Sequence, residues 1–415
     1  MQTKALEKLQ RFASQRRWQI VLVIAVLAIS LIIRLLLFRY HGYYIDENCF
    51  KAWYDTAAKG GLHNFYTNTS WCDYPPFNIY IFWIFGNLAH TIGPNSLDFL
   101  IKLPQNLFDL ATAYLIFRFV RSNYSFLPAL IAMTVYAFNP AIIFDLAVWG
   151  QFDSIYTFFM IASLYALMRS RYEISGALFS LAILTKPQSI VLLPVLAYII
   201  LRNGRWKRAI SSGLVSIASV FLFIAPLNWN GGPITFLIDK YSGYGVYEYN
   251  SLNAYNFWAL LGFWKPDTIP HMGLSYQVWG IIMFVAFVIF IMWQLHRRYE
   301  QKAAIFAVFL LMFGFFMLMT RMHERYLFPT LALLVMSWNG RFTLKRMTPW
   351  LYIGLTGTFL ANLAYVLSKL KAEAFIPDGH WSLYVLAPVN IILFLSATIY
   401  FWRIQRRKPA IEELR

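Results

Sequence analysis

Apolar stretches of about 20 residues alternate with short polar segments from Trp18 to Trp402, and a helix of that length crosses the hydrocarbon core of a bilayer. The pattern predicts helices at Trp18–Phe38 and Phe99–Phe119. Further helices follow at approximately 126–145, 153–168, 173–186, 188–201, 207–227, 276–295, 302–319, 325–338, 349–367 and 383–402. The stretch Phe77–Ile92 is shorter: its 16 residues reach about 24 Å as a helix, against a core of about 30 Å. It is expected to lie in the outer leaflet, as a membrane-embedded helix of the first outer loop. The fold class expected is all-α: a polytopic membrane protein of about 12 transmembrane helices.

Composition supports this class. Only 13% of the 415 residues are charged and 59% are hydrophobic, whereas a soluble domain is nearer 25% charged and a disordered chain carries few apolar residues. The net charge of +17 would suggest nucleic acid in a soluble protein, but here its placement follows the positive-inside rule. With twelve crossings and both termini cytoplasmic, 24 of the 36 Lys and Arg fall inside. They include Arg202/Arg205/Lys207/Arg208, Arg297/Arg298/Lys302, Arg341/Lys345/Arg346 and Arg403/Arg406/Arg407/Lys408. If Phe77–Ile92 crossed as well, all of these would face outward. No nucleic-acid partner is expected. Two outer segments are long, roughly 39–98 and 228–275. The second of them divides the chain into residues 1–227 and 228–415.

Unusual polar residues collect on the outer side. Asp46 and Glu47 follow the first span, where a carboxylate stays ionised beside lipid head groups; a solvated acidic pair at a helix end is the plainer reading. Asp73-Tyr74-Pro75-Pro76 precedes Phe77–Ile92, where prolines suit a helix start and Asp73 could cap it. The only cysteines, Cys49 and Cys72, share this loop as either a bridge or two thiols. A short outer turn carries Asp145, Trp149, Gln151 and Asp153. Lys186 and Gln188 mark a reversal at membrane depth, where ionisable groups face a cavity or a partner, or snorkel to the surface. Arg321, His323, Glu324 and Arg325 place two guanidiniums and an imidazole where they could bind phosphate or form a salt-bridged loop. The second long loop holds Tyr241, Tyr244, Tyr247 and Tyr249, then Asn253, Asn256 and Trp258. These residues suit sugar rings as well as an interfacial aromatic belt. No P-loop, GxGxxG, HExxH or cysteine-based metal motif is present.

In this order the residues resemble the GT-C superfamily, multispan glycosyltransferases that use polyprenyl- or dolichyl-phosphate sugars. They are most similar to the dolichyl-phosphate-glucose glucosyltransferases of lipid-linked oligosaccharide assembly and to related mannosyltransferases. Four features carry the resemblance: Asp46 with Trp53, Asp73-Tyr74-Pro75-Pro76, Gly150-Gln151-Phe152-Asp153, and His323-Glu324-Arg325. The resemblance implies an inverting hexosyltransferase with Asp46, or the adjacent Glu47, as general base. It places Asp73, Tyr74, Gln151 and Asp153 around the acceptor, and Arg321, His323, Arg325 and Lys186 at the donor phosphate. Asn253, Asn256 and Trp258 would contact sugar. The implied partners are a polyprenyl-phosphate sugar donor, a lipid-linked glycan, glycolipid or protein acceptor, and membrane lipids. Some relatives bind a divalent metal near the loop acids, but no ligand set here requires one, and no other cofactor is expected. The site would lie in the plasma membrane of a bacterium or the endoplasmic reticulum of a eukaryote. A secondary transporter is the alternative reading, with Asp109 as the main acid inside a span; a scaffold subunit is a third.

Overall fold

A computed structural model describes residues 16–229, 231–242, 247–338, 347–377 and 379–406. The N-terminal Lys4, Lys8 and Arg11, the cluster Arg341/Lys345/Arg346, Arg407, Lys408 and Tyr244 lie outside the described residues. The chain forms two compact units. The first is Met1–Ile190, Gly204–Tyr244 and Leu370–Glu373; the second is Val191–Asn203, Gly245–Lys369 and Ala374–Arg415.

The first unit contains α1 (Arg16–Leu37), α2 (Tyr44–Asn68), α3 (Pro76–Ile92), α4 (Leu103–Arg121), α5 (Phe126–Ala137), α6 (Asp153–Met168), α7 (Tyr172–Thr185), α8 (Arg205–Ile224) and α9 (Pro233–Ser242). The second contains α10 (Tyr276–Arg297), α11 (Ala303–Leu318), α12 (Phe328–Met336), most of α13 (Thr348–Lys371) and α14 (Trp381–Arg406). Among the described residues five helices are long and apolar enough to cross a membrane, or six if the pair Phe126–Ala137 and Pro140–Trp149, bent by 42°, is one span. The protein is mostly helical and integral to the membrane. The only strands among the described residues are a two-residue hairpin, Pro270–His271 paired antiparallel with Leu274–Ser275. Ser275 then caps α10 by accepting a hydrogen bond from the Val278 amide.

Helix boundaries follow local chemistry. Pro76, Pro104, Pro140 and Pro329 occupy first-turn positions, where a missing N–H costs nothing. The expected reversal at Lys186 is present: α7 stops at Thr185 and Lys186 is extended, with φ −152° and ψ 130°. The predicted helix at 188–201 begins as a 3-10 turn, Pro187–Leu192, followed by Leu193–Ile199. An inner loop was expected near 202–208. The chain does turn there, at Arg205 with φ 58°: Gly204 packs on Tyr172 at the start of α7, and α8 then runs beside α7 in the same direction, Ser212 donating to the Tyr172 carbonyl and Ser180 to the Ser216 carbonyl.

In the first unit α7 packs against α6 and α8, α4 against α5 and α6, and α2 against α3. Small polar residues join these helices, as expected where lipid supplies no hydrophobic drive for association. Ser163 and Ser175 donate to each other's carbonyl oxygens at 2.8 and 2.9 Å. A Cβ on Gly176 would sit 2.6 Å from the hydroxyls of Ser212 and Ser216. One stripe of α1, Val23, Ser30 and Arg34, is buried while Ile24, Ile29, Ile32 and Leu36 stay exposed, a lipid-facing surface. Arg34 and Asp109 form a fully buried ion pair. Arg34 also binds Ser30 and the Ala137 carbonyl, and Tyr136 donates to Asp109 at 2.6 Å. This tether locks α1 to α4 and α5. In the second unit α11 packs against α10, α12 and α14, and nearly every α11 side chain is buried.

Candidate functional site

The outer loop acids stand in the first turn of α2, where the helix end favours negative charge, yet the two have different environments. Glu47 is buried and turned back on its own helix start. It accepts the Gly42 amide at 2.5 Å, lies 3.1 Å from Nδ1 of His41 and 3.8 Å from Nζ of Lys102. Asp46 is half-buried. Its Oδ2 accepts from the Trp149 indole at 3.0 Å and from the Gln151 amide at 2.8 Å. Among the described residues no hydrogen bond falls on its Oδ1. Two donors therefore orient one oxygen of the carboxylate.

Those donors come from an irregular stretch. Phe144–Trp149 is a wide π-type turn ended by Gly150 in the left-handed region, φ 89°. The amides of Gly150 and Gln151 both return to the Asp145 carbonyl at 3.0 Å. Trp149 and Phe152 are buried. The Phe152 ring packs on Phe50 and Tyr74 with centroids 4.8 and 5.5 Å apart, and Trp53 and Phe82 complete the cluster. This aromatic packing joins α2, α3 and the Gly150–Phe152 turn, so the Asp46 donors are held from both sides. Three residues without a sequence motif complete the frame. Gly42 abuts Trp149, the buried Lys102 donates to the carbonyls of Tyr40 and Val148, and Lys371 donates to the His41 carbonyl.

The other residues expected at the acceptor and donor have partners of their own. Gln151, expected at the acceptor, binds Asp46. Lys186 and Asp153 form a buried ion pair at 2.7 Å, so the lysine expected at the donor phosphate meets the aspartate expected at the acceptor, with its ammonium 5.4 Å from the Tyr156 ring centroid. The cap position of α3 is held by Pro75, two residues beyond Asp73. Asn78 donates to the carbonyls of Pro75 and Thr185 at 3.1 and 2.8 Å. Tyr74 is buried in the aromatic cluster. Cys49 and Cys72 are unbridged. Burial, then the charges of Asp46 and Asp73, pushes the Cys49 thiol up, which puts both acids within electrostatic reach of one side chain. Burial raises the Cys72 thiol further.

In the second unit the expected donor and sugar residues meet. Asn253 pairs with His323 through a backbone bridge, the Leu252 amide bonds the Met322 carbonyl, and the Arg321 amide bonds the Tyr249 carbonyl. Arg321, itself at φ 62°, grips Asp267 with Nε at 2.7 Å and Nη2 at 3.0 Å. Arg325 binds Glu324 at 2.9 Å. The His323 ring stands edge-on to Tyr247 and Tyr326 at 5.9 and 5.2 Å. Asn256 and Trp258, expected to contact sugar, pack into the interior. Both are buried. Asn256 donates to the Phe316 and Met319 carbonyls, and Trp258 donates to the Leu318 carbonyl at 2.7 Å. They anchor the loop to the end of α11, and Asn253 accepts from Trp264 at 3.0 Å.

Among the described residues no group of three or more His, Cys, Asp or Glu side chains could hold a metal ion.

Residues 73–229 match the family profile described as dolichyl-phosphate-mannose-protein mannosyltransferase. A stretch of 106 residues is 32% identical to GPI mannosyltransferase 1 of Kluyveromyces lactis, covering 24% of this chain and 26% of that protein. The chain thus aligns with about a quarter of that relative's length. The profile match takes in Asp73, Tyr74, Lys102, Trp149, Gln151, Asp153 and Lys186, and Asp46 lies before it. Over residues 73–229 the chain is similar to the dolichyl-phosphate-mannose-protein mannosyltransferase family, a stretch that holds two of the four motifs, Asp73-Tyr74-Pro75-Pro76 and Gly150-Gln151-Phe152-Asp153.

Proposed function

We propose that the protein is an inverting glycosyltransferase that moves a hexose from a polyprenyl-phosphate carrier to an acceptor hydroxyl at the extracytoplasmic membrane face. Both matched descriptions favour mannose among the hexoses. The observation that carries the reading is the asymmetric setting of Asp46, one oxygen held by Trp149 and Gln151 and the other open. A carboxylate so fixed can take the acceptor proton as the hydroxyl attacks the anomeric carbon. The departing polyprenyl phosphate gains negative charge, and fixed cations stabilise such charge most in the transition state. The catalytic module is assigned to 1–227, with twelve spans and cytoplasmic termini as loop charge argues. The acceptor is a glycolipid, lipid-linked glycan or protein hydroxyl.

The transporter alternative rested on Asp109. That acid is sealed against Arg34 and Tyr136, which suits a structural tether.

The test uses full-length protein in proteoliposomes with a radiolabelled polyprenyl-phosphate mannose and mixed membrane glycolipid acceptors. Asp46→Asn and Asp46→Ala are expected to lose transfer by roughly 10²–10⁴-fold while remaining folded. Full transfer by both variants would overturn the reading.

A further inference from the structure

We infer that Lys102 and Glu47 are a buried positioning pair that sets the orientation, and hence the basicity, of Asp46. The inference rests on the reading of Asp46 as the base. Lys102 is 2% exposed, and its ammonium joins three segments distant in sequence. It donates to the Tyr40 carbonyl beyond α1, donates to the Val148 carbonyl at 3.2 Å just before Trp149, and lies 3.8 Å from Glu47. Glu47 in turn holds the Gly42 amide at 2.5 Å, and Gly42 rests directly on the Trp149 backbone. Both routes end at Trp149, whose indole bonds Asp46 Oδ2.

A lysine buried with one carboxylate is a weak source of stability, because desolvation offsets most of the attraction, but removing one partner is costly. Such a pair is better suited to fixing geometry. Neither side chain touches the open Oδ1 of Asp46; they act through Gly42, Val148 and Trp149.

The test needs no turnover. The full-length protein in nanodiscs is treated with a water-soluble carbodiimide and glycine ethyl ester across pH 4–8. Modification of Asp46 is then followed by peptide mass spectrometry. Hydrogen bonds to the charged carboxylate favour ionisation, and losing them raises the pKa. Lys102→Met is therefore expected to move the Asp46 midpoint up. Glu47→Ala separates positioning from charge: loss of a neighbouring negative charge alone would move the midpoint down, whereas loss of positioning moves it up. Glu47→Gln, which keeps an acceptor for the Gly42 amide, should lie closer to wild type. An upward shift of about one unit in Glu47→Ala supports the pair, and a downward shift or none overturns it. If Glu47→Ala does not fold, the same reading is taken from Glu47→Gln combined with Lys102→Met, where an unchanged midpoint overturns the pair. Failure of wild-type transfer alongside shifted midpoints would sink the glycosyltransferase reading and leave the pair standing.

Discussion

Gly42 and Trp149, 107 residues apart, touch so closely that a Cβ built on the glycine would stand 2.1 Å from the Trp149 carbonyl oxygen. No rotamer change relieves such a clash, because the backbone fixes where a Cβ stands and the facing oxygen is itself backbone. The contact ties the chain entering α2 to the turn that orients Asp46.

Gly42→Ala should therefore displace the Trp149 turn. Overpacking of this kind costs about 1–3 kcal/mol, and a shift of about 1 Å in catalytic geometry costs about 10²-fold in rate. The expected outcome is a folded protein with kcat reduced roughly 10–100-fold and donor KM little changed. Steady-state transfer kinetics alongside thermal unfolding in nanodiscs would measure both.

Replacing the donors to Asp46 should act on the same oxygen. Trp149→Phe and Gln151→Leu each remove one hydrogen bond to a charged acceptor, worth about 1.5–3 kcal/mol, or roughly 10–100-fold. Because bonds to the carboxylate favour its ionised form, the acidic limb of the rate profile should move to higher pH in both variants. An unshifted limb would mean that the profile reports another group.

Cys49 offers a probe of Asp46 without catalysis. Burial and the charges of Asp46 and Asp73 raise its thiol pKa, so the reactive thiolate is scarce at neutral pH. Alkylation by iodoacetamide should be slow at pH 7 and accelerate as pH rises. Asp46→Asn removes one of the two charges, lowers the thiol pKa and should speed labelling at fixed pH. Cys72, raised further by burial, should react more slowly than Cys49 throughout.

The Arg34–Asp109 pair should govern assembly of α1 with α4 and α5. Arg34→Met strands a buried aspartate and is expected to destabilise the protein by about 3–5 kcal/mol. In the double variant Arg34→Met/Asp109→Leu no charge is left stranded, and much of that loss should return. Thermal unfolding followed by size-exclusion fluorescence would show the non-additivity.

Much of the helical framework was legible, because apolar runs, prolines and basic clusters are local signals. The stretches 276–295 and 302–319 coincide closely with α10 and α11, and the reversal at Lys186 was set by Arg169 and Arg202 flanking a stretch too long for one crossing. What linear order hides is partnership. Gln151 lies 105 residues from the Asp46 it binds, and the Lys186–Asp153 pair closes over 33 residues. Both residue pairs were seen as polar, but their mutual satisfaction needs three dimensions. Lys102 was read simply as part of a span; an ammonium inside an apolar run was the one available hint. Asn256 and Trp258 look equally suited to a ligand and to an interior, and their partners at the end of α11 are set by packing that linear order does not show.

The π-type turn at Phe144–Trp149 carries one residue more than a regular helical turn would. Each residue advances a helix by about 100°, so deleting a single residue from this stretch would swing the indole of Trp149 out of register with Asp46 while leaving the fold's apolar pattern nearly intact. The chemistry proposed for this loop hangs on that one surplus step in the chain's winding, a dependence that no side-chain substitution elsewhere could make good.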